Sequence, residues 1–145
     1  MKPKWKFLYL YIPIVVAIML DYALTIDGNR GYFLGQTATV NEEAPLGKFL
    51  LIIGPATFTV CILLYLAWLG WMLKALPEGW KLFVCLATTY LHAYGAESWI
   101  KRHIPQVYNQ WIFHVFYTAA FTALVAFMIR QYQTACENNK NANTP

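Results

Sequence analysis

The sequence predicts an all-α membrane protein: a bundle of four transmembrane helices with both termini in the cytoplasm. Three observations carry this expectation. The composition is 59% hydrophobic and only 12% charged, against roughly 25% charged in soluble chains, so there are too few charges to cover a soluble domain. Four apolar stretches are long enough to cross a bilayer core, which takes about 20 helical residues. The basic residues are also distributed unequally between the connections. Net charge is +4, but Lys and Arg stand singly between apolar runs rather than in a stripe, which argues against nucleic acid as a partner. The lipid bilayer is the partner that this composition implies.

The first stretch covers residues 7–26 and follows Lys2, Lys4 and Lys6. Basic residues before an apolar run also open a signal peptide, but Asp21 lies within the run and no small-residue cleavage pattern follows, so the run is read as a retained helix. The second stretch, 46–76, contains Gly54-Pro55. A proline there removes a backbone hydrogen bond and predicts a kink. The third is 82–100 and the fourth 107–129. Pro77-Glu78-Gly79 and the segment around Pro105 are short turns that make neighbouring helices antiparallel. The connection 27–45 is longer and holds Gly28, Gly31 and Gly35, a length that favours a functional or mobile loop. Residues 1–132 thus form the transmembrane domain, and the polar, Asn-rich tail 133–145 is expected to be disordered. Cys61, Cys85 and Cys136 show no paired spacing and are read as packing residues.

With four spans the two termini share a side. Lys2, Lys4, Lys6, Lys74, Lys81, Arg130 and Lys140 fall on that side, against Arg30, Lys48, Lys101 and Arg102 on the other. Seven against four places the termini in the cytoplasm. The tryptophans agree, since Trp5, Trp68, Trp71 and Trp80 mark the cytoplasmic ends and Trp99 and Trp111 the outer ends, as interfacial belts do.

Ionisable groups inside spans are costly and tend to face the bundle interior. Here they are Asp21, His92 and His114, all about two turns from the outer ends of their spans. Asp21 with Thr25, Thr88 with His92, and His114 with Thr118 and Thr122 each follow an i, i+4 spacing that puts a narrow polar stripe on one helix face. Inward-facing stripes would make a polar interior open to the outside, with Glu42 and Glu43 above it and Glu97 and His103 at its rim. Asp21, His92, His114 and Glu43 are therefore the candidate catalytic residues, and Asp21, His92 and His114 the candidate metal ligands. Two imidazoles and a carboxylate suit zinc or non-haem iron. His92 and His114 alone could clamp a haem, and the same groups could relay protons. Against all of these stands interhelical hydrogen bonding with a purely structural role, worth on the order of 1 kcal/mol.

One segment carries a resemblance. Asp21-Tyr22-Ala23-Leu24-Thr25, a glycine-bearing loop, and Glu42-Glu43-Ala44-Pro45-Leu46 resemble a family of uncharacterised small prokaryotic four-helix membrane proteins. That family pairs Asp-x-x-x-Thr in helix one with an acidic Glu-x-Asn-Pro turn before helix two. Ala44 stands where the family has Asn, and the loop is longer. The resemblance implies a four-helix membrane fold and a joint role for Asp21, Thr25 and Glu43.

Three functional readings follow. The first is an accessory or structural subunit acting through helix contacts with a membrane-protein partner or a second copy, using Gly54, Ala67 and Gly70 as small contact points. The second is a membrane-embedded metal-dependent enzyme acting on a lipid-like substrate through an outer-leaflet Asp/His site. The third is a bis-His haem electron carrier.

Overall fold

The computed structural model describes the backbone at residues 6–103 and 110–141, and the side chains at residues 6–100 and 115–137. Six helices and no strand occur among them. They are α1 (Leu8–Gly28), α2 (Arg30–Phe33), α3 (Pro45–Ile53), α4 (Pro55–Ala75), α5 (Glu78–His103) and α6 (Gln110–Asn141). Three are long and apolar enough to cross a membrane: α1, α4 and, within α6, Val115–Glu137. The 21 residues of α1 and of α4 extend about 32 Å at 1.5 Å per residue, close to a hydrocarbon core of about 30 Å. The third expected span is present as α5, 26 residues long, but it falls outside the apolar group. Its charged ends and its polar face, with Thr88, Thr89 and Glu97 buried, dilute its apolar character.

α1 is the centre of the packing and touches α4, α5 and α6. Leu10, Ile14 and Ile18, one turn apart, are fully buried on one face. They meet Leu66, Leu69 and Leu73 of α4, Cys85 of α5 and Tyr132 of α6. A face recurring every three to four residues is what lets one helix pack along another. Gly70 serves this packing from within: a Cβ there would stand 3.3 Å from the Tyr11 ring, whose hydroxyl donates to the Leu66 carbonyl at 2.8 Å. The opposite surface keeps large apolar side chains exposed, among them Ile12, Val16, Leu63, Leu64, Phe116 and Phe127. A surface this apolar is suited to lipid.

The second apolar stretch is not a kinked helix. It breaks into α3 and α4 at Gly54, whose backbone sits at φ 145° and ψ 157°. That conformation is open to glycine and strained for any residue with a Cβ. Pro55 then starts α4 at its first position, where the missing N–H costs nothing. The break outdoes the expected kink because glycine supplies a turn that proline alone does not. Gly54→Ala is expected to lower stability by about 1–3 kcal/mol, read as a drop in thermal unfolding temperature in detergent. An unchanged midpoint would mean the break is not needed.

The tail also departs from expectation. α6 runs on to Asn141 instead of ending near residue 132. Between Arg130 and Asn141 there is no Gly or Pro to stop it, and Ala, Gln, Glu and Lys all favour helix. Tertiary contact adds to this, since Tyr132 is buried and Cys136 packs beside it against the start of α1. The start of α1, the end of α4, the start of α5 and the late part of α6 thus meet at one end of the bundle. Lys6 Nζ lies 3.4 Å from Glu78 Oε1, and Lys81 Nζ 2.9 Å from the same oxygen. Lys6 also sits 5.9 Å from the Tyr132 ring centroid, and Lys74 4.8 Å from that of Phe7.

Partial burial pushes the Glu78 carboxyl up, but its hydrogen bonds to Lys81 and Lys6 and their positive charges outweigh this and hold it below its ordinary 4.5. A depressed carboxyl contributes stability that is complete above its unfolded value and lost as pH falls through the lower folded one. The Glu78 side chain is half exposed, so screening keeps the contribution under about 1 kcal/mol. Stability should therefore fall with acid in the range below pH 4.5 in the wild type, and Glu78→Gln should flatten that part of the profile.

Candidate functional site

Asp21 continues the buried face of α1. Ile14, Ile18, Asp21, Thr25 and Gly28 follow one another at intervals of three or four, and Asp21 and Gly28 meet α5. On α5 the matching face is Thr88, His92, Gly95 and Trp99. The two series run antiparallel and meet at small residues. A Cβ on Gly95 would lie 2.7 Å from Asp21 Oδ1, and one on Gly28 would lie 2.1 Å from the Trp99 ring. The bare backbone at Gly95 makes room for the carboxylate, and the bare backbone at Gly28 makes room for the indole. With that clearance, His92 Nδ1 and Asp21 Oδ2 stand 2.8 Å apart.

An ionised carboxylate only accepts hydrogen bonds, so against ionised Asp21 the His92 Nδ1–H is the donor. In that arrangement Nε2 is the nitrogen left without the carboxylate. The Tyr65 ring lies 5.9 Å from the imidazole. Both members of the pair remain about a fifth exposed, because they line a cleft of about 640 Å³. Its polar wall includes Thr25, Glu42, Glu43 and Ser98, and its apolar wall Ile18, Leu50, Phe58, Ile62 and Trp99. Tyr22 adds a hydroxyl bonded to Thr59 at 2.8 Å and a ring stacked on Phe58. No Lys or Arg is among the described residues that line the cleft.

The connection that carries the two glutamates is tied down, which its length did not predict. Asn29 is buried. Its Nδ2 donates to the Thr25 carbonyl at 2.9 Å, while its Oδ1 accepts from the Asn41 amide at 2.7 Å. Val40 is buried beside it with Leu51 and Phe58. Glu42 Oε1 accepts from the Ala44 amide at 2.9 Å, which shapes the entry to α3.

Of the candidate residues, Asp21 and His92 are in contact, and Glu43 lines the same cleft. The side chains of His114, His103 and Trp111 lie outside the described residues. The polar stripes do not converge on one interior. Thr118 and Thr122 of α6 line a separate cavity with Thr89, Glu97 and Tyr117. Glu97 is 3% exposed, so it is not the rim residue that its position in the sequence implied, and Trp99 is 4% exposed rather than part of an interfacial belt. Trp68, Trp71 and Trp80 do remain exposed. Among the described residues no three His, Cys, Asp or Glu side chains are grouped so as to hold a metal ion. Asp21 stands against Nδ1, behind the ring. A metal at Nε2 would thus meet His92 as its ligand and Asp21 as the carboxylate that orients it.

Gly28, Asn29, Tyr65, Gly95 and Trp99 are parts of the site that sequence reasoning missed. A usable signal existed: Gly28 follows Asp21 by seven residues and Trp99 follows His92 by seven, which is two helical turns on the same face. Comparison with protein families, with curated proteins and with solved structures finds no match to this chain.

Proposed function

We propose that this is a multi-pass membrane protein with four spans and cytoplasmic termini, whose outer cleft acts on a lipid-like substrate with His92 as general base. Support for α5 as the fourth span comes from its extent. It meets α1 at both ends, through Glu78 and Lys6 at one and Trp99 and Gly28 at the other. A helix flanking α1 over its whole length crosses whatever thickness α1 crosses.

The catalytic reading rests on the 2.8 Å contact between Asp21 and His92 at the wall of a cleft that is part polar and part apolar. A carboxylate that fixes an imidazole leaves its second nitrogen free to take a proton from water or a substrate hydroxyl. Glu43 on the same wall is the candidate second acid–base group. The apolar wall suits an alkyl chain and the polar wall its head. Zinc or iron at Nε2 would need His114 as a further ligand. The accessory-subunit reading has less support, because Gly70 and Gly54 already serve packing and the helix break within the chain itself.

The test is a total lipid extract reconstituted in nanodiscs with wild type or His92→Ala and followed by mass spectrometry. Wild type is expected to deplete one lipid class over time, and His92→Ala to do so at least about 100-fold more slowly, the lower range of acid–base contributions. A lipid pool left unchanged by wild type would overturn the catalytic reading.

A further inference from the structure

The end of the bundle where α1 starts carries more positive charge than its own carboxylates neutralise. Lys6, just before α1, and Lys81 of α5 converge on a single oxygen, Glu78 Oε1, at 3.4 and 2.9 Å. One carboxylate balances one ammonium group, and the second charge is left over. The further contacts of Lys6, with the Cys136 sulfur at 3.6 Å and the Tyr132 ring at 5.9 Å, bring no second carboxylate. Lys74 at the end of α4 adds another positive charge, 4.8 Å from the ring of Phe7, the residue after Lys6. With exposed Arg130 and Glu137 of α6 included, the described residues at this end number four basic against two acidic.

Partial burial makes the excess count. The Lys81 side chain is 11% exposed and that of Lys6 26%, and salt screens partly buried charges less than exposed ones. An ammonium group has three donors, and a phosphate offers several charged oxygens to meet them. The surroundings favour a phosphate that carries acyl chains. Trp71, Trp80 and Phe83 are each at least 60% exposed, and Trp80 stands edge-on to Phe83 at 5.8 Å. Exposed tryptophans sit at the headgroup level of a bilayer. Lys74 follows Trp71 by three residues and Lys81 follows Trp80 directly, so charge and apolar surface lie at one depth. The outer cleft has no such charge, since no Lys or Arg is among the described residues that line it.

We infer that this end of the bundle binds an anionic phospholipid, its phosphate at Lys6, Lys74 and Lys81 and its chains against Trp80 and Phe83. The inference does not rest on the Asp21–His92 pair. The experiment is native mass spectrometry of the full chain in detergent, with phosphatidylglycerol, phosphatidylcholine or inorganic phosphate added. Phosphatidylglycerol should bind at least about fivefold more tightly than phosphatidylcholine, the effect of one basic residue at a membrane surface. Lys74→Gln leaves the Glu78 bridges in place and should weaken phosphatidylglycerol about fivefold. Glu78→Gln releases a lysine charge and should tighten it by a similar factor, a sign that a misfolded variant would not give. Lys48→Gln, at the far end of α3–α4, should leave binding unchanged, and equimolar inorganic phosphate should not displace the lipid. Equal retention of the two phospholipids would overturn the inference, as would a change of the same sign in Lys74→Gln and Glu78→Gln, or a loss as large in Lys48→Gln. Displacement by equimolar phosphate would overturn it too, by assigning the site to the free anion.

Discussion

Gly28→Ala is expected to destabilise the protein by about 1–3 kcal/mol, the usual cost of forcing extra atoms into a packed site. The added methyl would lie 2.1 Å from the ring of Trp99, a buried residue. The sign is the informative part. Glycine to alanine within a helix ordinarily stabilises by up to about 1 kcal/mol, so a loss can only come from contact between α1 and α5. Gly79→Ala is the matched control, since a Cβ there meets nothing within 4 Å. Thermal unfolding in detergent should show a lower midpoint for Gly28→Ala and an equal or higher one for Gly79→Ala. Equal midpoints for Gly28→Ala and wild type would mean that α1 and α5 do not approach as described.

The second large effect is at the Asp21–His92 pair. Removing either side chain leaves a partly buried polar partner unmet, at about 1–3 kcal/mol. Removing both should cost less than the sum, with a coupling of about 0.5–3 kcal/mol. A double-mutant cycle of Asp21→Ala and His92→Ala, read by denaturant or thermal unfolding, measures this directly. Simple additivity would show that the two groups do not interact. Gly95→Ala offers a check that touches neither partner. Its methyl would press on Asp21 Oδ1 from 2.7 Å, so it should lower stability and lose most of that effect in the Asp21→Ala background.

These two contacts also mark the limit of what could be read from the sequence. Asp21 and His92 stood out because ionisable groups are rare in apolar runs, and rise per residue put them at one depth. Helical periodicity then placed Thr25 and Thr88 on the same faces. Gly28 and Gly95 did not stand out, because a glycine in a helix looks like a weak helix former until the neighbour that needs its space is known. Trp99 was misjudged for a related reason: interfacial and buried tryptophans occupy the same sequence positions and differ only in what the next helix presents. At Gly54-Pro55 the proline was legible and the glycine was not, since the depth of the bend depends on a backbone angle rather than on composition. Asn29 was hidden altogether. Its two hydrogen bonds close a loop, and closure is a property of the tertiary path. The extension of α6 was obscured by its polarity, which suggested disorder until Tyr132 and Cys136 gave it something to pack against.

The pairing of Asp21 with His92 also bears on how the chain is made. Its two members are 71 residues apart. At a synthesis rate of about 5–20 residues per second, α1 waits roughly 4–14 s for the helix that answers its carboxylate. Through that interval a nascent α1 holds an acid in an apolar setting with α2 and α4 as its finished neighbours. Insertion machinery that releases helices to lipid one at a time would strand it there. The chain therefore suits machinery that retains early helices until later ones arrive, since α5 and α6 both pack on α1.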